Sequence, residues 1–574
     1  MFRRVTILFL LAVLILSANV LFAQRPVPIQ TATLIDTSIY NGIYRGVQTQ
    51  FFCEPNTGYL IFGYYDYNSS DPDPRRITAA TSLDGGETWT THTDINFGVG
   101  TVMDARYATV WGTSMTPIVA YSDRNPDGPD QDSRPVVAYD VVGWGGGVFD
   151  NIFVDNSGSP DTTLYGRYLS LAVAPDNDNL WAVGCYHSPT PGQAYYYYFS
   201  EDAGINWSRP KVPMSEVEAD MGKPNYVYDL TSRGMGVGLG YNNTVMVSGA
   251  AKFEKDEDIW NVIYSTSTDA GRTWSPVSKI PGSEHLYCSD ADNYRNYSSP
   301  MLDAAGNWHI FVVAYDTTES SGSFPTPYYG YDFRYDGSTW NVTKIAMPRV
   351  FENGIAAWGD YPADVEQHQM NEPSLGPDGT LYYTYTDLID TTGFGGDLDY
   401  ANFNMMVMYS EDNGDTWKGP VSILDKWRGH QINGAARFTT CKLHVIYHVE
   451  LSAVTGEADE LWYMGVPTDT IKALATSVEN KVAIIKPTSH RLNQNYPNPF
   501  NPTTNITFDL KERVHVTLKI YNQIGQEVAT LIDKTMDAGY KGITWHTEDV
   551  SSGVYFCKLT AGDYTATQRM IISK

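Results

Sequence analysis

An eight-residue spelling that occurs four times constrains this chain more than any other feature. The copies are Ser82-Leu-Asp84-Gly-Gly86-Glu-Thr88-Trp89, Ser200-Glu-Asp202-Ala-Gly204-Ile-Asn206-Trp207, Ser267-Thr-Asp269-Ala-Gly271-Arg-Thr273-Trp274 and Ser410-Glu-Asp412-Asn-Gly414-Asp-Thr416-Trp417. Each reads as a tight turn with a built-in anchor. The Asp accepts hydrogen bonds from the backbone ahead of it, the Gly takes a left-handed position, and the Trp packs the returning strand. These Asp, Gly and Trp residues are therefore expected to be structural.

Around the turns the chain repeats a longer layout: a polar start, an apolar strand, a turn, and a second strand ending in an aromatic and an acid or His. Seven starts can be named, Arg45, Arg106, Arg167, Arg233, Arg295, His368 and His430. The second strands end at Asp66, Asp123, His187, Glu254, Asp316, Asp387 and His448. Unit five carries a decayed turn, Asp336-Gly-Ser-Thr-Trp340, and unit two only the glycine turn Gly143-Trp-Gly-Gly-Gly147. Four strands per unit of this length match the blades of an all-β propeller. The last unit supplies three strands, and the lone strand at Thr31–Asp36 is expected to complete it. This count favours seven blades, with six as the alternative. The pattern S-x-D-x-G-x-[TN]-W resembles the Asp-box, or BNR repeat, of sialidase-like propellers, which have six.

Residues 1–23 begin Met1-Phe-Arg3-Arg4 and continue through an apolar run from Val5 to Leu16, the layout of a cleavable signal peptide, with a retained membrane anchor as the alternative. No later run is long enough to span a bilayer. The propeller is expected over 24–466, a linker over 467–490, and a small Ig-like β-sandwich over 491–574. That last segment opens with Leu492-Asn-Gln-Asn495-Tyr-Pro-Asn498-Pro-Phe500-Asn-Pro502 and carries Ser552-Gly-Val-Tyr555 near its end. On these residues it resembles the type A sorting domain of the bacterial type IX secretion system. The resemblance implies the secretion machinery as a partner, removal of the segment on the way, and delivery to the medium or the outer-membrane cell surface.

The formal charge of −27 argues against a nucleic-acid or anionic-membrane partner, because phosphates would be repelled. The 41 Tyr and 49 Gly suit pleated sheets and many turns. Cys53, Cys185, Cys288, Cys441 and Cys557 lie far apart with no metal spacing and read mainly as isolated thiols.

In a propeller blade the Asp-box turns lie on one face, and the loops joining strands two to three and blade to blade lie on the other. That second face is where a ligand is expected. Its unequal loops, 66–75, 122–134, 213–232, 281–294, 347–367 and 387–402, hold Trp358 and Tyr361 for stacking on sugar faces. Glu216, Glu218, Asp360, Asp364 and Glu366 could supply acid/base chemistry at a glycosidic bond. Strand order brings Arg45 towards Asp66, Arg106 towards Asp123, and Arg295 towards Asp316, with Arg167 and Asp387 at matching positions. Such repeated pairs read either as structural ion pairs or as a ligand clamp. The sialidase resemblance implies three clamping arginines, a Tyr/Glu nucleophile pair and an Asp acid. This chain departs from it, with Arg45-Gly46-Val47 where the family has an Arg-Ile-Pro-like motif, and its Tyr/Glu pair is not placed.

The loop Asp123-Arg-Asn-Pro-Asp127-Gly-Pro-Asp130-Gln-Asp132 offers oxygen ligands for Ca²⁺, without EF-hand spacing. No zinc spacing is found. Two readings follow: a glycoside hydrolase or polysaccharide lyase acting on an extracellular glycan, and a non-catalytic surface-binding or scaffold propeller.

Overall fold

The computed structural model describes residues 27–28, 32–39, 49–66, 76–96, 105–124, 133–154, 166–187, 194–208, 211–217, 220–230, 235–255, 261–284, 286–287, 298–316, 329–346, 373–390, 402–427, 434–449, 459–475, 489–492, 494–495, 498–536, 539–547 and 550–574. From Phe51 to Pro467 the strands fall into seven successive antiparallel sheets. In chain order, blade one is Phe51–Cys53, Leu60–Asp66, Arg76–Ser82 and Thr90–His92. Blade two is Arg106–Gly112, Pro117–Arg124, Ser133–Asp140 and Phe149–Phe153, and blade three is Arg167–Ala174, Asn177–His187, Ala194–Ser200 and Lys211–Ser215. Blades four and five are centred on Val245–Lys252 and Asn261–Ser267, and on Trp308–Asp316 and Tyr329–Tyr335. Blade six runs from Ser374–Leu375 through Leu381–Asp390 and Asn402–Ser410 to Lys418–Trp427. The fold is an all-β propeller, with seven blade sheets among the described residues, followed by a small β-sandwich.

The seventh sheet explains the lone N-terminal strand. Lys442–Val449 pairs with Asp459–Pro467, and Ala32–Ile39 adds to the outer edge of the latter with Ala32 opposite Met464. The sequence reading placed the strand there. It did not find the two residues before it: Val27–Pro28 pairs with Asp425–Leu424 on the outer strand of blade six. One N-terminal arm therefore covers the outer edges of two neighbouring blades, protecting backbone groups that an edge strand leaves unpaired. Blade seven lies beside blade one, where the Arg437 amide donates to the Phe51 carbonyl at 3.1 Å.

The stretch expected as linker opens instead with a helix, Thr468–Ala475, continuous with the last strand of blade seven. Its Ile471 and Ala475 are buried among apolar residues of blades six and seven. Lys472 reaches Asp378 at 2.9 Å, Thr380 at 3.0 Å and Glu411 at 3.0 Å, all in blade six. Burial alone would lower the ammonium, but hydrogen bonds to Asp378 and Glu411 hold it above its ordinary value.

In the C-terminal domain a sheet of Arg491–Leu492, Thr503–Leu510 and Gly539–His546 faces a sheet of Glu527–Met536, Val514–Asn522, Gly553–Ala561 and Tyr564–Ile572. They enclose a core that includes Phe508, Leu518, Ile520, Leu559 and Met570. The opening motif of this domain has a structural task. Asn495 Nδ2 donates to Thr504 Oγ1 at 2.8 Å, Asn498 Oδ1 accepts from the Ile571 amide at 2.8 Å, and Phe500 bonds the backbone of Ile571 and Ser573. It ties the entry of the domain to its last strand.

Four buried or exposed thiols, Cys53, Cys185, Cys441 and Cys557, are unbridged among the described residues. No described helix is long and apolar enough to cross a membrane.

Candidate functional site

The two faces of the propeller differ in what their side chains are doing. On the face carrying the four repeated Ser-x-Asp turns, all four have the same bonding. The Ser hydroxyl donates to Asp Oδ1 at 2.7–2.8 Å and accepts the Gly amide at 2.8–2.9 Å. The same Asp oxygen accepts the Thr or Asn amide, while Oδ2 accepts that residue's side chain. Slight burial would raise these carboxyls, but the donors outweigh it and hold Asp84, Asp202, Asp269 and Asp412 below the ordinary carboxylate value. Asp336 in the decayed unit-five turn bonds Ser338 and Thr339 in a similar way. Because these carboxylates already have close protein donors, they serve the fold.

Three of the turns also join their blade to the one before it, which sequence spacing does not disclose. The residue preceding the Gly is left-handed as well, at φ 56°, 61° and 55° for Ala203, Ala270 and Asn413. In three joints a side chain of the preceding blade holds the carbonyl of that residue. Tyr463 Oη donates to Gly85 O at 2.8 Å, Tyr197 Oη to Ala270 O at 3.1 Å, and Arg334 to Asn413 O at 2.6 Å. The Trp packs there too, tilted against Tyr463 for Trp89 with ring centroids 5.3 Å apart and edge-to-face against Tyr197 for Trp274 at 5.0 Å. A Cβ on Gly86 would sit 2.0 Å from Tyr463 Cε1, at φ 96°. Gly86→Ala is therefore expected to lower stability by roughly 2 kcal/mol or more, from overpacking and the left-handed backbone together. A urea titration followed by tryptophan fluorescence reads this directly, and an unchanged midpoint would refute the joint.

Two joints contain buried histidines with opposite charge states. His309 in blade five is 0% exposed between Asp332, 2.8 Å from Nδ1, and Asp303, 3.2 Å from Nε2. Burial alone would lower the imidazole. The charge of Asp332, with the hydrogen bonds to Asp303 and Asp332, reverses this and pushes it up to about 9. Gly414 of the next blade sits so close that a Cβ there would be 2.3 Å from Asp332 Oδ2. In blade seven His444 lies between Tyr463 Oη at 2.7 Å and Thr440 Oγ1 at 3.0 Å. Burial, with Lys442 adding to it, pushes His444 down to about 3.

Described residues of several blades meet one another away from the turns. Arg437 of blade seven, 2% exposed, donates to the carbonyls of Ser299 at 3.3 Å and Pro300 at 2.5 Å in blade five. Its guanidinium carbon lies 5.6 Å from the Trp111 ring centroid of blade two. Beside it Ser170 of blade three meets Ser299 at 3.3 Å and accepts the Val237 amide of blade four at 3.0 Å. These groups form a polar floor at the centre. Sequence reasoning missed Arg437 because it counted starts at His430. The available signal was a lone arginine inside Ala435-Ala436-Arg437-Phe438, an otherwise apolar run.

The opposite face is where a ligand was expected. Among the rim candidates, Arg106, Arg167, Asp66, Asp123, Asp316 and Asp387 all lie at or near strand ends on that side. Arg106 is opposite Ser122 and Arg167 opposite Tyr186, each followed by a register shift that marks a β-bulge. The expected pair Arg106–Asp123 is thus offset by one residue. Asp66 is opposite Arg76, Asp123 opposite Arg134, Asp316 opposite Leu286 and Asp387 opposite Asn404. Asp123 is 1% exposed. Glu216, expected as an acid in an open loop, accepts the Leu230 amide at 2.6 Å and so shapes its own loop. Arg45, Arg295, Trp358 and Tyr361 fall outside the described residues, as do Glu218, Asp360, Asp364, Glu366 and most of the Ca²⁺ candidate loop. Among the described residues no group of three or more His, Cys, Asp or Glu is placed to hold a metal.

Residues 494–573 match the family model described as a secretion system C-terminal sorting domain. The protein is accordingly exported, to the medium or to the outer-membrane surface. No curated protein matches the chain. Solved structures similar to it include a PL25 ulvan lyase bound to -[GlcA(1-4)Rha3S]-, at 12% identity and TM-score 0.43, covering 77% of this chain and 99% of that one. Trypanosoma rangeli sialidase in complex with sialic acid is similar at 11% identity and TM-score 0.41, over 95% of this chain and 88% of that one. A GH93 α-L-arabinofuranosidase of Fusarium graminearum, in complex with arabinobiose, is similar at 11% identity and TM-score 0.35, over 77% and 99%.

Proposed function

We propose that this is an exported Asp-box propeller that engages an extracellular glycan through the loops opposite its Asp-box turns. The observation that carries the reading is the division of labour between the faces. The Asp-box carboxylates are bonded within the fold, whereas the strand ends carrying Arg106, Arg167, Asp66, Asp123, Asp316 and Asp387 gather at the other end of the blades. Aromatic side chains at Trp358 and Tyr361 supply stacking surfaces for sugar rings, and carboxylates in the same loops supply acid/base groups.

The burial of Asp123 favours a structural role for at least that rim acid, so glycan contact falls mainly to the loops at 213–232, 347–367 and 387–402. A non-catalytic binding or scaffold role is the second reading, favoured by the same burial. Both are tested by a glycan-array and hydrolysis screen of the full chain, repeated in EDTA to test for Ca²⁺. Trp358→Ala is expected to abolish binding at an unchanged unfolding temperature. Arg295→Met distinguishes the roles of the rim arginines: loss of binding alone marks a clamp, and loss of stability marks an ion pair. Wild-type binding to no glycan on the array would overturn the proposal.

A further inference from the structure

We infer that the outer strand of blade five, Trp340–Ala346, is the seat of the C-terminal domain, which caps that edge for as long as the two are one chain. The observation begins with a lysine in an unusual place. Lys541 lies on Gly539–His546, the edge strand of the domain's three-stranded sheet, yet it is 4% exposed. Lysine is almost never buried to this degree unless its ammonium is partnered. Its Nζ donates to Asn341 Oδ1 of blade five at 2.7 Å, and the two edge strands lie against each other.

Both strands are edges of their sheets among the described residues. They meet through side chains, with no backbone ladder between them among the described residues. The arrangement continues a pattern in the ring. The outer edges of blades six and seven are covered by the N-terminal arm, through Val27–Pro28 and Ala32–Ile39. The C-terminal domain adds cover at blade five, so three successive edges are protected by chain from outside their own blades. The four-stranded sheet of the domain keeps a solvent-facing surface, where Lys519 pairs with Glu527 and His515 with Asp533. That sheet is open to the secretion machinery while the other carries the cargo. Removal of the domain uncovers an edge to which another strand can add.

The test is hydrogen exchange on the full chain, comparing wild type with Asn341→Ala and Lys541→Ala. In both variants the amides of 340–346 should exchange about tenfold faster, equivalent to about 1.4 kcal/mol of lost protection. Protection in 329–335 and 514–522 should stay as in wild type. Exchange in 340–346 that is equal in wild type and both variants would overturn the proposal. If Lys541→Ala unfolds its own domain, seen as lost protection in 514–522, Asn341→Ala decides from the propeller side.

Discussion

Replacing His309 with leucine should destabilise the propeller by on the order of 3–5 kcal/mol at neutral pH. The substitution keeps an apolar side chain of similar reach but leaves Asp303 and Asp332, both almost fully buried, without the cation between them. The pH dependence separates this account from simple loss of packing. His309 is raised in the fold to about 9 from an ordinary 6.5, so its contribution is complete below about pH 6.5 and is lost as pH rises through 9. His444 works in the opposite direction. Its folded value near 3 means that the unfolded chain takes up the proton first, so stability falls as pH drops from 6.5 towards 3. Urea midpoints measured across pH 4–9 should therefore show the alkaline decline in wild type and not in His309→Leu. His444→Leu removes neutral hydrogen bonds only and should cost about 1 kcal/mol. A His309→Leu variant with the wild-type alkaline slope would refute the charged triad.

Arg437→Met is expected to have an effect of similar size, about 3 kcal/mol. The thioether keeps much of the stem's packing, but the carbonyls of Ser299 and Pro300 lose their donor in a site closed to water. Arg437→Lys should recover only part of the loss, because an ammonium lacks the planar fork and the flat surface presented to Trp111. Since Arg437 links blade seven to blades five and two across the axis, its removal should also broaden the unfolding transition. A midpoint within about 0.5 kcal/mol of wild type would mean that the centre is held by apolar packing alone.

Local patterns were legible and distant pairings were not. The repeated turn is readable because its donors lie within four residues of its acceptor, so spacing alone encodes it. The seven blades were readable because the period survives in units two and five, where the turn itself has decayed. The lone strand before residue 40 was readable by elimination, since the last unit was one strand short. His309 was not, because its partner Asp332 comes from the adjacent strand 23 residues on, and Asp303 looked like any turn acid. The inter-blade role of the repeated turn was equally hidden, because Tyr463 and Gly85 are 378 residues apart. The helix at 468–475 leaves little trace in the sequence, because only two of its eight residues, Ile471 and Ala475, become buried. At the rim, strand order alone cannot disclose the bulges that shift Arg106 and Arg167 in register.

We propose that the two faces of the propeller have separate work, one holding the ring and one meeting the ligand. It is tested most directly by measuring polysaccharide binding and thermal unfolding on the same full-length preparations of wild type, Asp269→Ala and Trp358→Ala, with a glycan selected by wild type on the array. Asp269→Ala should unfold at a lower temperature and bind as wild type does, while Trp358→Ala should unfold as wild type does and fail to bind. Lost binding in Asp269→Ala at an unchanged unfolding temperature, together with wild-type binding in Trp358→Ala, would contradict the account.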